Sequence, residues 1–172
     1  MPQDTPPRPR PGAAPTDPTE PLPLASEADL INPMWAVGEV MTASPRTCSP
    51  FSTALEAVLI FRDADCGIIP ITDEGKPVGV LTDRDIALAL AEHETDLART
   101  PVGDLMQKDV VTIRSDASLN AALETLGGRG VRRLLVVDSS GRLEGVLSWT
   151  DLVPRVTERG LGRVVARIVE NR

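Results

Sequence analysis

One segment of the chain is written twice. VGEVM at 37–41 returns as VGDLM at 102–106, 65 residues on, and Thr47, Ala57 and Asp73 match Thr112, Ala122 and Asp138 at the same spacing. Further along the spacing becomes 66, with Gly75 matching Gly141 and Asp85 matching Asp151. The extra residue falls where DEG faces DSSG, a polar turn in which an insertion disturbs least. Register held through apolar runs and lost only in a loop marks a duplicated structural unit.

Each unit reads as β-α-β-β-α. A short extended piece lies near Thr47-Cys48 and again near Val111–Ile113. Thr53-Ala-Leu-Glu56 is a capping-box pattern that opens a helix, and the matching helix opens near Ser118 and is expected to end at Gly127-Gly128. The apolar runs IIPIT and LLVV, each followed by a Gly-containing turn and a second apolar run, predict two β-hairpins. A further helix starts near Asp83 and near Trp149. A small sheet with helices on one face must bury against a partner, which the second copy supplies.

Both hairpins run into the same motif, Gly79-x-x-Thr82-x-x-Asp85 and Gly145-x-x-Ser148-x-x-Asp151. A hydroxyl followed three residues later by an acid is a capping box. A strand entering a helix N-terminus also presents free N–H groups and the positive end of the helix dipole, which suits an anion. Thr82 and Ser148 can then donate to phosphate, and Asp85 and Asp151 can accept from ribose hydroxyls, as an acid does in dinucleotide folds. Gly79 and Gly145 would let a backbone approach closely. Capping and ligand binding are compatible.

The net charge of −7 argues against bulk nucleic-acid binding, which requires phosphate neutralisation. The charge is uneven, since residues 129–172 carry nine arginines against five acids. Ten of the 16 prolines fall within residues 1–33, among polar residues that cannot bury enough surface to offset ordering entropy, so that segment is expected to be a disordered tail. The N-terminus shows no apolar stretch of signal-peptide type, and no apolar run approaches a membrane span, so a soluble cytoplasmic protein is expected.

The order VGEVMT, TCSPFSTALEAV, GIIPITDEGKPVGVLTDRDI, and then VGDLMQ, TIRSDASLNAALETL, VRRLLVVDSSGRLEGVLSWTDL, resembles a tandem pair of cystathionine β-synthase (CBS) domains over about residues 37–153. GVLTDRDI is especially similar to small stand-alone bacterial CBS-pair proteins. The resemblance implies an α+β fold of two repeats packed about a pseudo-twofold axis. The expected division is a tail over 1–33, repeat 1 over 34–98, repeat 2 over 99–157 and a C-terminal helix or tail over 158–172. It also implies a regulatory module and not an enzyme, binding AMP, ADP, ATP or S-adenosylmethionine between the repeats and signalling to an unknown partner, as a homodimer joined through helices around Leu55–Phe61 and Ile86–Leu90. By the same resemblance Asp85 and Asp151 would hold ribose, Thr82 and Ser148 would face phosphate, the segments from Ile68 and Arg133 would line the adenine pocket, and Thr47 and Thr112 would contact the base.

The repeats differ in charge. Repeat 2 has Arg132-Arg133 before its strand where repeat 1 has Gly67-Ile68, so Asp85 with Arg132 or Arg133, helped by Arg84, is the expected composite site. The Asp151 cleft shows Trp149 and fewer evident cations, and is ranked second. Two alternatives remain. One is a dimerisation scaffold with vestigial clefts. The weaker one is a redox or metal sensor through Cys48 and Cys66, although neither these residues nor His93 match a zinc spacing. Arg155, Arg159, Arg163 and Arg167 recur every four residues, as on a solvated helix ridge.

Overall fold

Residues 34–91 and 96–170 are described by the computed structural model; the tail expected over 1–33, His93 and residues 171–172 lie outside them. In chain order the elements are β1 (Thr42–Ala43), α1 (Ala54–Ala64), β2 (Ile68–Asp73), β3 (Lys76–Thr82), α2 (Asp83–Ala89), α3 (Val102–Leu105), β4 (Thr112–Arg114), α4 (Leu119–Arg129), β5 (Arg133–Val137), β6 (Leu143–Ser148), α5 (Trp149–Leu152) and α6 (Glu158–Glu170). The fold is α+β with two repeated units.

Local chemistry explains most of these boundaries. Thr53 Oγ1 accepts from the Glu56 N–H at 3.3 Å, and Glu56 returns a carboxylate oxygen to the Thr53 N–H at 2.9 Å, which starts α1 as the capping box requires. Ser118 Oγ accepts from the Ala121 N–H at 3.2 Å and starts α4. The expected stop at Gly127-Gly128 is corrected: α4 continues to Arg129, and Gly130, at φ 61, is the left-handed residue that ends it. The β2–β3 and β5–β6 hairpins form in antiparallel register.

The sheets reveal an exchange that hydropathy does not show. β1 belongs to the opening segment, or leader, of repeat 1, yet it pairs with β6 of repeat 2, Thr42 opposite Val146 and Ala43 opposite Gly145, in the sheet ordered β1-β6-β5-β4. Reciprocally, Gln107, in the leader of repeat 2, pairs with Val80 of β3. The preceding turns dock the same way. Val37 N–H donates to Ala117 O at 2.8 Å and Val102 N–H to Ser52 O at 2.7 Å. Val37 is therefore buried in the repeat 2 core with Leu119 and Leu123, and Val102 in the repeat 1 core with Ile69 and Leu81. Each leader completes the other repeat.

The motif glycines follow from this exchange. A Cβ on Gly79 would collide with Met106 Sδ and lie 3.1 Å from Gln107 O. A Cβ on Gly145 would collide with Met41 Sδ and lie 2.9 Å from Thr42 O. The close backbone approach expected at these glycines is that of the leader, not of a ligand.

The repeats also differ at their helices. α6 packs on α4, with Ile168 buried and Leu161 against the same core. Leu123 of α4 is consequently 1% exposed, while its counterpart on α1, Val58, is 40% exposed. Arg155 is not part of the expected ridge. It precedes α6, sits 5.2 Å from the Trp35 ring centroid, and donates to Asp151 O at 3.1 Å.

Candidate functional site

Two clefts run between the repeats, related by the duplication. The first, about 230 Å³, has Val80 and Thr82 of repeat 1, with Gln107 paired beside them, on one side and Arg132 and Arg133 on the other, with Ile68 and Asp109 also lining it. The second, about 340 Å³, has Ser148, Asp151 and Val146 of repeat 2 facing Arg46, Cys66 and Gly67 of repeat 1. Ile68 and Arg133 line both. The strand-to-helix junctions that carry the repeated motif thus form part of the cleft walls.

Both motifs cap their helices as the spacing predicts. Asp85 Oδ2 accepts from the Thr82 N–H at 2.8 Å and from Thr82 Oγ1 at 2.6 Å. Asp151 Oδ2 accepts from the Ser148 N–H at 2.7 Å. Their second oxygens differ. Gln107 Nε2 donates to Asp85 Oδ1 at 2.9 Å, tying that carboxylate down on both oxygens. The residue matching Gln107 is Thr42, too short to repeat that bond, and among the described residues no hydrogen-bond donor takes Asp151 Oδ1.

The charges also differ from the expected ranking. Arg46, which sequence reasoning passed over, joins Arg133 in the Asp151 cleft. The Thr82 cleft holds Arg132 and Arg133 but also Asp109, whose carboxylate lies 3.5 Å from Arg129. Each lining thus carries two arginines and one carboxylate; the clefts differ in that Asp151 keeps an oxygen that no described donor takes, whereas Asp85 is engaged on both oxygens and is not among the lining residues. Position by position, Arg46 stands against Val111, an asymmetry of the same kind as Arg132 against Gly67.

Four of the expected contacts, Thr47, Thr112, Arg84 and Asp85, are not among the residues lining the clefts. Thr47 lines a separate hollow with Arg46, Leu59 and Asp63, and Thr112 lines the equivalent one with Glu124 and Arg129. Arg84 is exposed at the start of α2, where its N–H donates to Asp83 Oδ1 at 2.9 Å.

A family model for the CBS domain matches residues 37–92 and again 102–158. The chain belongs to the CBS-domain family. It is 32% identical over 136 residues to the CBS domain-containing protein YhcV of Bacillus subtilis, covering 78% of this chain and 96% of YhcV. It is 30% identical over 119 residues to an uncharacterised protein of Methanopyrus kandleri, covering 69% of this chain but only 61% of that protein's length. CBSX2, solved in complex with AMP, superposes with a TM-score of 0.59 at 27% identity, over 70% of this chain and 94% of that one. A CBS-domain pair solved with 5′-methylthioadenosine and S-adenosyl-L-methionine gives 0.62 at 25%, over 71% and 95%. These CBS repeats thus share their fold with pairs that hold adenosine ligands.

The cysteines occupy different settings. Cys48 is buried at 5% exposure, and desolvation, with the Glu56 charge, pushes its thiol above the ordinary range despite an opposing hydrogen bond from Ser52. Cys66 is half-buried beside Gly67 in the Asp151 cleft. Among the described residues no three His, Cys, Asp or Glu side chains converge as metal ligands would. Since the thiolate is the reactive form, a disulfide reagent at neutral pH is expected to modify Cys66 well before Cys48. Equal rates would contradict the burial of Cys48.

Proposed function

We propose that the protein is a regulatory, non-catalytic CBS module of the cytoplasm that binds an adenine nucleotide in the Asp151 cleft and signals its occupancy to a partner. The observation that carries this is the meeting of Asp151, whose Oδ1 takes no hydrogen bond among the described residues, with Arg46 and Arg133 across one inter-repeat cleft. In this assignment Asp151 accepts from ribose hydroxyls, and the two guanidinium groups and Ser148 hold phosphate in charge-assisted hydrogen bonds. The apolar wall of Ile68 and Val146 suits the base. The AMP in CBSX2 and the S-adenosyl-L-methionine in the second pair support this ligand class. Among the described residues no helix is long and apolar enough to cross a membrane.

Calorimetric titration with AMP, ATP, S-adenosylmethionine and NAD tests the proposal. Saturable binding of at least one is expected, accompanied by slower modification of Cys66 as the ligand fills its cleft. Failure of all four to bind would leave the scaffold alternative.

Assembly as a homodimer is the second part. α1 presents Leu55, Val58 and Leu59, and the end of α2 presents Leu88 and Leu90, all exposed, where α6 has covered the equivalent face of α4. Burying such a patch is favourable by roughly 25 cal/mol per Å² of apolar surface. Light scattering is expected to give about twice the mass of one chain, and Leu55→Asp is expected to return it to the single-chain mass. A monomeric wild type at micromolar concentration would contradict the dimer.

A further inference from the structure

We propose that the two clefts share one cation, Arg133, so that a chain holds one phosphorylated adenosine ligand at a time, with the Asp151 cleft filled first. This rests on the nucleotide assignment above. Ile68 and Arg133 begin β2 and β5 at matching places of the duplication, and both line both clefts. Only one of the pair is charged. Beyond Arg133, the described residues lining each cleft supply one cation and one carboxylate of their own: Arg132 with Asp109 in the first, Arg46 with Asp151 in the second. Each lining is therefore neutral without Arg133 and positive with it.

A single guanidinium forks toward one phosphate in its strongest geometry. A ligand that engages it in one cleft withdraws it from the other, where the remaining arginine is balanced by a carboxylate. Binding in one cleft must then weaken binding in the other, and by reciprocity the penalty is mutual. The Arg133 guanidinium already lies on the Asp151 side: its Nη2 is 3.6 Å from where a Cβ on Gly67 would stand, and Gly67 lines that cleft and not the other.

Calorimetry with AMP and adenosine on the full chain tests this. Wild type is expected to take one AMP per chain. Arg133→Met is expected to weaken AMP binding by tenfold or more while changing adenosine binding less than threefold. Two equal AMP sites in wild type would overturn the sharing and leave the nucleotide assignment standing. Arg133→Met with undiminished AMP affinity would also overturn it. Absence of any AMP or adenosine binding would overturn the nucleotide assignment itself.

Discussion

Gly145→Ala is expected to destabilise the protein by about 1–3 kcal/mol, the usual cost of forcing an extra carbon into a packed site. The added methyl would meet Met41 Cγ at 2.9 Å and Thr42 O at 2.9 Å. The methionine side chain can turn aside. The Thr42 carbonyl cannot, because Thr42 and Ala43 are held in register against Val146 and Gly145. For a chain of this size each kcal/mol lowers the melting temperature by roughly 2–4 °C, so the shift is readable in a thermal scan. Gly79→Ala should behave alike, since its methyl would meet Gln107 O at 3.1 Å. A wild-type melting temperature for both variants would mean that the leaders do not cross the hairpins as described.

The contrast between these glycines and their neighbours shows which parts of the fold were legible in the sequence. Thr53, Thr82 and Ser148 cap helices through bonds spanning two or three residues, and such local chemistry can be read from spacing alone. The hairpins were legible for the same reason. The exchange of leaders was not, because it joins Val37 to Ala117 and Val102 to Ser52, contacts that no local pattern encodes. With the exchange hidden, the leader residues could not be placed against a cleft wall. That is why Gln107, which occupies the Asp85 carboxylate, does not lower the rank of Asp85 in the sequence; Arg46, by contrast, is legible there as a cation standing where the other repeat has Val111. Thr47 and Thr112, assigned by resemblance, lie in hollows beside the clefts.

The second large effect concerns binding and not stability. Asp151→Asn preserves a side-chain oxygen for the Ser148 N–H, so most of the capping contribution survives; even full loss of a good cap costs only about 1 kcal/mol. A carboxylate accepting from ribose hydroxyls contributes more, roughly 1.5–3 kcal/mol for a hydrogen bond to a charged group, and each 1.4 kcal/mol is a factor of ten in affinity. Asp85→Asn should do less, because Gln107 already engages the outer oxygen of that carboxylate.

The most direct measurement is the dissociation constant of AMP for wild type, Asp151→Asn and Asp85→Asn by calorimetry, with the melting temperature of each free protein recorded alongside. A nucleotide seated in the Asp151 cleft requires Asp151→Asn to weaken binding by about tenfold or more at a nearly unchanged melting temperature, with a smaller loss for Asp85→Asn. An Asp151→Asn protein that melts early and binds AMP with wild-type affinity would show that the aspartate serves only as a helix cap, and would contradict a ligand in this cleft.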